Sequence, residues 1–88
     1  MKLKKGFVLH TSGSENLMVA VGKATREFSG MVRSNETAQF LLKHMEKEVT
    51  EEQLTEALMR EYDVDRSTAA RDVHRFAEKM QKEGFLED

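Results

Sequence analysis

The chain has 88 residues, of which 39% are apolar and 34% are charged, and it contains no cysteine. This length predicts a single domain over residues 1–88, because a typical domain has about 100–150 residues. No apolar run approaches the roughly 20 residues of a membrane-spanning helix, and the N-terminus lacks the apolar stretch of a signal peptide. The lack of cysteine excludes disulfides, thiolate metal sites, iron–sulfur clusters and a cysteine nucleophile. We therefore expect a cytoplasmic protein without a membrane partner, stabilised by packing alone.

The charge is unevenly distributed along the chain. The net charge is −2, yet residues 1–34 carry +4 and residues 35–88 carry −6. Such a separation can give one face of a small domain a positive charge that attracts an anionic partner. It can also arise by chance, and the sequence leaves both interpretations open.

The first third of the chain has the pattern of β-strands. Residues 7–11 and 17–21 are short apolar runs rich in β-branched side chains, and residues 12–16 between them predict a five-residue hairpin loop. A weaker third strand is predicted over residues 26–33, where Ser29 and Gly30 lower the strand propensity. The period of two predicts one shared face of the hairpin, formed by Leu17, Val19 and Val21 with Phe7, Leu9 and Thr11 as their partners.

After Ser34 the apolar period becomes helical. A first helix is predicted over residues 35–47 with Ser34 or Asn35 as N-cap, and a second helix begins at the capping box of Thr50 and Gln53. A third helix follows, with Asp65 or Ser67 as N-cap, and it runs to about residue 82 before Gly84 as C-cap. The apolar face of this third helix is predicted to contain Ala69, Ala70, Val73, Phe76, Ala77 and Met80.

These elements predict an α+β fold with the order β-β-β-α-α-α. A three-stranded antiparallel sheet precedes three helices, and such a small sheet leaves at least one strand edge open. Met45 and Met80 are predicted to fill the core, whereas the pattern does not decide whether Phe40 packs on a loop or is exposed to a partner.

Catalytic patterns are not found. His10, His44 and His74 fall on three different elements without a His-x-x-x-His spacing, and the serines lack a Gly-x-Ser-x-Gly context. The sequence therefore predicts neither an enzyme nor a cofactor.

The second and third helices form a pair that is also found in winged-helix DNA-binding regulators. Arg66, Arg71, His74 and Arg75 could then reach a DNA groove. The second helix, however, carries four glutamates against Arg60 alone, and affinity for DNA requires several phosphate contacts. DNA binding is thus the alternative hypothesis. Under the favoured hypothesis, which is given below, nucleic acid is not a partner.

The residues from 28 to 38, Phe-Ser-Gly-Met-Val-Arg-Ser-Asn-Glu-Thr-Ala, resemble the strand-to-helix junction of the PqqD family, named for a protein of pyrroloquinoline quinone biosynthesis. The resemblance continues through residues 49–54 and 62–65, then Asp72, Val73 and Phe76, and finally residues 84–87. It covers essentially the whole chain. One departure is Ser34, which stands where the family usually has Leu.

This resemblance implies a winged-helix-like recognition element for ribosomally synthesised and post-translationally modified peptides. Such domains are not catalysts. They bind the leader segment of a precursor peptide and deliver it to a modifying enzyme, often a radical S-adenosylmethionine enzyme. In the family the leader adds as a strand along the third strand and lies in the cleft between this strand and the third helix.

Elementary chemistry agrees with strand addition, because an open edge offers backbone donors and acceptors to an extended peptide. The same edge is compatible with a homodimer. Gly30 would let a second backbone approach closely, and Arg26 and Arg33 flank the edge. The predicted peptide-binding residues are Arg26, Glu27, Phe28, Ser29, Gly30, Met31, Val32 and Arg33 on the strand, and Ala69, Asp72, Val73, Arg75 and Phe76 on the third helix.

Overall fold

A computed structural model of the chain describes residues 1–26 and 31–87. The strands are β1 (Lys2–Leu3), β2 (Phe7–Ser12), β3 (Glu15–Ala20), β4 (Met31–Ser34) and β5 (Leu86–Glu87), with a 3-10 helix at Gly22–Arg26. The helices are α1 (Glu36–His44), α2 (Glu51–Glu61) and α3 (Arg66–Lys82). Strands β2, β3 and β4 form an antiparallel sheet in that order. The predicted α+β fold, a three-stranded antiparallel sheet followed by three helices, is confirmed.

The hairpin between β2 and β3 has a shorter turn than predicted. Ser12 pairs with Glu15, so the turn consists of Gly13 and Ser14 alone. Gly13 has a φ of 59°, and a glycine with positive φ at the first central position is typical of a type II′ turn. The predicted five-residue loop is therefore wrong.

The short turn also changes which side chains share a face. Leu9 pairs with Met18 and Phe7 with Ala20, and Phe7, Leu9 and Met18 belong to the core. A one-residue change of register moves every side chain to the opposite face, so the prediction that Leu17, Val19 and Val21 face Phe7, Leu9 and Thr11 is wrong.

In the structure, the predicted third strand does not include Arg26. Arg26 ends the 3-10 helix, and the strand is β4, whose residues pair with β3 from Met31 to Ser34. The reason is local: Gly22 has a φ of 60°, and the Thr25 hydroxyl donates a hydrogen bond of 2.7 Å to the Gly22 carbonyl, which closes a turn. The predicted strand residues Glu27, Phe28, Ser29 and Gly30 lie outside the described residues.

The helix starts follow the predicted caps. The Asn35 side chain accepts a hydrogen bond of 2.7 Å from the Ala38 N–H, which identifies Asn35 rather than Ser34 as the N-cap of α1. Thr50 and Gln53 form both bonds of the predicted capping box. Asp65 is the N-cap position of α3.

The core lies between the sheet and the helices. Met45 and Val73 are fully buried, and Met80 is 5% exposed, so the predicted core positions of Met45 and Met80 are confirmed. Ala70 is exposed and does not belong to the buried face of α3. Strands β1 and β5 pair with each other, and their residues Leu3 and Leu86 belong to the core. Each strand has only two residues, which is too short for a sequence pattern. The buried cluster contains Leu3, Met18, Leu41, Leu42, Met45, Leu54, Leu58, Ala69, Val73, Met80, Phe85 and Leu86.

Helix α3 ends in a Schellman motif at Gly84. Gly84 has a φ of 82°, its N–H donates to the Gln81 carbonyl, and the Phe85 N–H donates to the Met80 carbonyl at 3.0 Å. Replacing Gly84 by Ala is expected to lower the free energy of unfolding by about 1–2 kcal/mol, since a Cβ is unfavourable in the left-handed region. Urea unfolding would measure this loss. Gly84→Asn is the control and should lose less, and equal losses for both variants would contradict the assignment.

A second stability prediction concerns His74, which links α3 to the start of α2. Its Nδ1 lies 3.0 Å from Glu51 Oε1 and its Nε2 lies 3.5 Å from Glu78 Oε1. The hydrogen bond and the charge of Glu51, with the charge of Glu78, raise the pKa of His74 above its ordinary value of 6.5. The stabilising contribution is therefore complete below about pH 6.5 and is lost as the pH rises through the raised pKa.

The measurement is the difference in unfolding free energy between wild type and His74→Gln from pH 5 to 9. This difference should shrink as the pH rises, and it should be small because the pair is exposed. Glu51→Gln is the control background, in which the same His74→Gln difference should depend less on pH because the hydrogen bond and charge of Glu51 are lost. A difference that is independent of pH would contradict the prediction.

Candidate functional site

The sheet ends in an open edge at β4. Ser34 pairs with Asn16 and Met31 with Val19, so one edge of β4 is bonded to β3. In the part of the chain that the structure describes, no strand pairs with the other edge. This edge therefore presents backbone N–H and C=O groups to which an extended chain could bind.

The open strand leads directly into a cleft between α1 and α3. Asn35, which follows the last residue of β4, lies at its margin, and the cleft has a volume of about 370 Å³. The sides are formed by residues of the first half of α1 and by the middle of α3. The lining residues are Asn35, Thr37, Ala38, Leu41, Asp72, Arg75 and Phe76.

The cleft has apolar walls and a charged rim. Leu41 belongs to the core cluster, Phe76 packs against that cluster, and Ala38 is half-buried. At the rim, the Asp72 carboxylate lies 3.3 Å from Arg71 Nε. Arg75 is exposed and forms no ion pair with any described residue. Such a cleft can accept an apolar side chain and offer a cation to a nearby carboxylate.

Three of the predicted helix residues, Asp72, Arg75 and Phe76, thus line the cleft. The other two, Ala69 and Val73, are 1% and 0% exposed and belong to the core, so they do not line the cleft. Their contact with a peptide stays a prediction.

The predicted strand residues are spread over two elements. Met31, Val32 and Arg33 lie on β4. Arg33 is 81% exposed and its Nη2 lies 4.0 Å from Glu15 Oε1, an exposed pair of little energetic weight. Arg26 lies on the 3-10 helix instead. Glu27, Phe28, Ser29 and Gly30 are not among the described residues.

Sequence reasoning missed the contribution of α1 to this cleft. Ala38 and Leu41 belong to the helical apolar period after Ser34, which predicts a helix but no binding role, and Thr37 gives no signal of its own. Only the tertiary arrangement shows that the start of α1 lies opposite the middle of α3.

A buried polar junction connects the end of β4 to α1. Gln39 is 3% exposed, and its Oε1 accepts a hydrogen bond of 3.0 Å from the Ser34 hydroxyl. Its Nε2 makes long contacts of 3.5 Å with the carbonyls of His10 and Leu17. Ser34 therefore holds the strand-to-helix junction through Gln39, which accounts for a polar residue at this position.

A larger cavity of about 700 Å³ lies between the hairpin turn, α1 and the end of α2. The Phe40 ring lies at its wall and contacts His44 and Tyr62 edge to face, with centroid distances of 4.7 and 5.8 Å. Phe40 therefore packs on its own helix and on the end of α2. This cavity shares Asn35 with the cleft at β4, but none of the α3 residues that line the cleft contributes to it.

Three of the four basic residues that DNA binding would use lie close to carboxylates. Arg66 Nη2 lies 3.8 Å from Glu56, Arg71 pairs with Asp72, and His74 lies between Glu51 and Glu78. Their charges are locally compensated, which weakens the electrostatic attraction to phosphates.

Residues 1–26 and 31–87 contain neither a metal-binding cluster nor a membrane-spanning helix. Within this part, no group of three His, Asp or Glu side chains is arranged to hold a metal ion. None of the helices there has the length and apolar character needed to cross a membrane.

Comparisons with known proteins place this geometry in context. The family model described as Coenzyme PQQ synthesis protein D (PqqD) matches residues 7–86. Among solved structures, TbiB1 in complex with the TbiA(beta) leader peptide has a similar fold, with a TM-score of 0.76 and 21% sequence identity. The similarity covers 99% of this chain and 95% of that chain. A comparison with curated proteins found no match.

Proposed function

The chain belongs to the PqqD family, and on this premise we propose that it binds the leader segment of a ribosomally synthesised precursor peptide. The leader adds as a strand to the open edge of β4 and places an apolar side chain in the cleft between α1 and α3. One observation carries the proposal. Within residues 1–26 and 31–87, an edge of β4 without a paired strand ends at an apolar cleft, and Arg75 at its rim forms no ion pair. The similarity of the fold to TbiB1, which was solved with a leader peptide, supports it.

Energetics require both parts of this site. β4 has four residues, so an added strand forms about four backbone hydrogen bonds, each with a net contribution of about 1 kcal/mol. Ordering a flexible peptide costs about 2–5 kcal/mol, which cancels most of that gain. A buried apolar side chain contributes about 1.5–3 kcal/mol more. Useful affinity therefore depends on the cleft as well as on the strand.

We propose in addition that the chain has no catalytic activity and delivers the bound peptide to a modifying enzyme, such as a radical S-adenosylmethionine enzyme. The purified chain, incubated with precursor peptide and S-adenosylmethionine, should leave the peptide mass unchanged. A mass change in the absence of a modifying enzyme would contradict this proposal.

The binding test uses synthetic peptides copied from the short open reading frames that neighbour the gene for this chain. Titration of the ¹⁵N-labelled chain should shift the amide signals of residues 31–34, 35–41 and 72–76. A scrambled peptide of the same composition is the control. Shifts confined to the exposed side of α2, or no shifts with any of these peptides, would contradict the proposal.

A further inference from the structure

The sheet exposes apolar side chains on the face that points away from the core. Val8 is 48% exposed and Val21 is 44% exposed, the two large apolar residues with high exposure in the described part of the chain. Val8 pairs with Val19 across the hairpin, and the Val21 N–H donates to the Gly6 carbonyl, which extends the ladder beyond β3. By the period of two, Val8, Val19 and Val21 share one face with Leu17, which is 7% exposed, so the open part of this face lies at its other end. We name the patch of Val8, Val19 and Val21 the valine face.

Basic side chains lie at one end of the valine face. The turn before β2 and the 3-10 helix after β3 meet there, since a Cβ added to Gly6 would lie 2.7 Å from the Ala24 Cβ. This contact brings together two short basic segments that are about 20 residues apart in the sequence. Their side chains, which we name the basic end, are Lys4, Lys5, Lys23 and Arg26.

The basic end is not neutralised within the described residues. Lys5, Lys23 and Arg26 are exposed, Lys4 is half-buried, and none of the four forms an ion pair there. An apolar patch bordered by unpaired charges is the usual composition of a protein-binding surface, with an apolar centre and a polar rim.

The valine face and the basic end share no residue with the cleft. The cleft lies between α1 and α3, whereas the valine face lies on the side of the sheet opposite to the core residues Phe7, Leu9 and Met18. A partner can therefore occupy this surface while a peptide occupies β4.

We infer that the valine face and the basic end dock an acidic surface of the enzyme that receives the peptide. The inference rests on the proposed function, because delivery requires a second surface that stays accessible when the leader is bound. Charge complementarity determines the chemistry of the partner, because four cations that form no ion pair with any described residue attract carboxylates and steer association.

Other occupants fit less well. Two copies that met through this surface would bring like charges together. A lipid surface would favour aromatic and leucine side chains, and the exposed residues here are valines. A nucleic acid would need more phosphate contacts than four cations supply, in a chain of net charge −2.

The test compares two charge-reversal variants. Lys5→Glu/Lys23→Glu brings the net charge of the basic end from +4 to 0. Lys43→Glu/Lys47→Glu makes the same change of charge on and just after α1 and is the matched control. Each variant is saturated with the leader peptide and titrated with the peptide-modifying enzyme encoded beside the precursor gene. We expect the basic-end variant to bind the enzyme at least tenfold more weakly, with its leader affinity within twofold of wild type, and the control to bind both normally.

Unchanged enzyme binding by the basic-end variant would overturn the inference, as would an equal loss in the control. A parallel loss of leader affinity would also overturn it, because the basic end would then belong to the peptide site. Concentration-dependent self-association, or binding to phosphatidylglycerol vesicles in place of the enzyme, would each identify a different occupant and overturn it.

A second probe separates this inference from the proposed function. Deca-glutamate should shift the amide signals of residues 4–6 and 21–26 in the wild type and in Lys43→Glu/Lys47→Glu, but not in Lys5→Glu/Lys23→Glu. This result does not depend on any leader, so it stands if leader binding fails. Shifts that persist in the basic-end variant would contradict the assigned surface.

Discussion

Replacing Ala38 by Phe is expected to weaken leader binding by ten- to a hundredfold while the chain stays folded. Ala38 is half-buried at the wall of the cleft, so a phenyl ring there occupies the space that an apolar leader side chain requires. Excluding one such side chain forfeits about 1.5–3 kcal/mol, which corresponds to this range of affinity. The backbone bond from Ala38 to the Asn35 cap does not depend on the side chain.

Ala70→Phe is the matched control for this variant. Ala70 is exposed on α3 and lies roughly 160° around the helix from Asp72, on the side opposite to the cleft. Calorimetric titration with the same leader should give wild-type affinity for Ala70→Phe. If Ala38→Phe binds as well as the control, the leader does not use this cleft.

Replacing Met45 by Ala is expected to cost about 2–5 kcal/mol of unfolding free energy. Met45 is 0% exposed, and its carbonyl accepts a bond of 2.8 Å from the Leu3 N–H, which attaches β1 to the end of α1. Truncation leaves a cavity in the buried cluster that can collapse only in part. Total stabilities of 5–15 kcal/mol are typical, so this loss removes a large share.

Met59→Ala is the comparison for Met45, since Met59 only packs against the edge of the core. Urea unfolding should show a smaller loss for Met59→Ala than for Met45→Ala. Equal losses would mean that burial at Met45 does not determine its contribution.

Local chemistry predicted the parts of the fold that depend on adjacent residues. The capping box of Thr50 and Gln53 and the glycine end of α3 each involve groups within a few positions of one another, and both are present. The register of β2 and β3 was missed because it is set by two turn residues, Gly13 and Ser14. The β1 and β5 pair was missed because two-residue strands carry no period.

The site was only partly predictable for a related reason. Of the residues predicted on α3, Asp72, Arg75 and Phe76 line the cleft, and their contact with a peptide stays a prediction. Ala69 and Val73 are buried, because a helical wheel does not show which flank of α3 faces the neighbouring helix. An apolar residue such as Ala38 at helical spacing can lie either in the core or at the wall of a cleft, and the sequence does not distinguish these two locations. The juxtaposition of α1 with α3 distinguishes these roles, and it exists only in the folded chain.

Strand addition at β4 is tested most directly by methylating backbone nitrogens of the leader. An added strand directs every second N–H toward β4, so two peptides that carry N-methyl groups at alternate positions, one set odd and the other even, should differ. Losing two ladder bonds at about 1 kcal/mol each predicts a loss of roughly thirtyfold for one set and little loss for the other. Equal affinities for both methylated peptides would contradict strand addition.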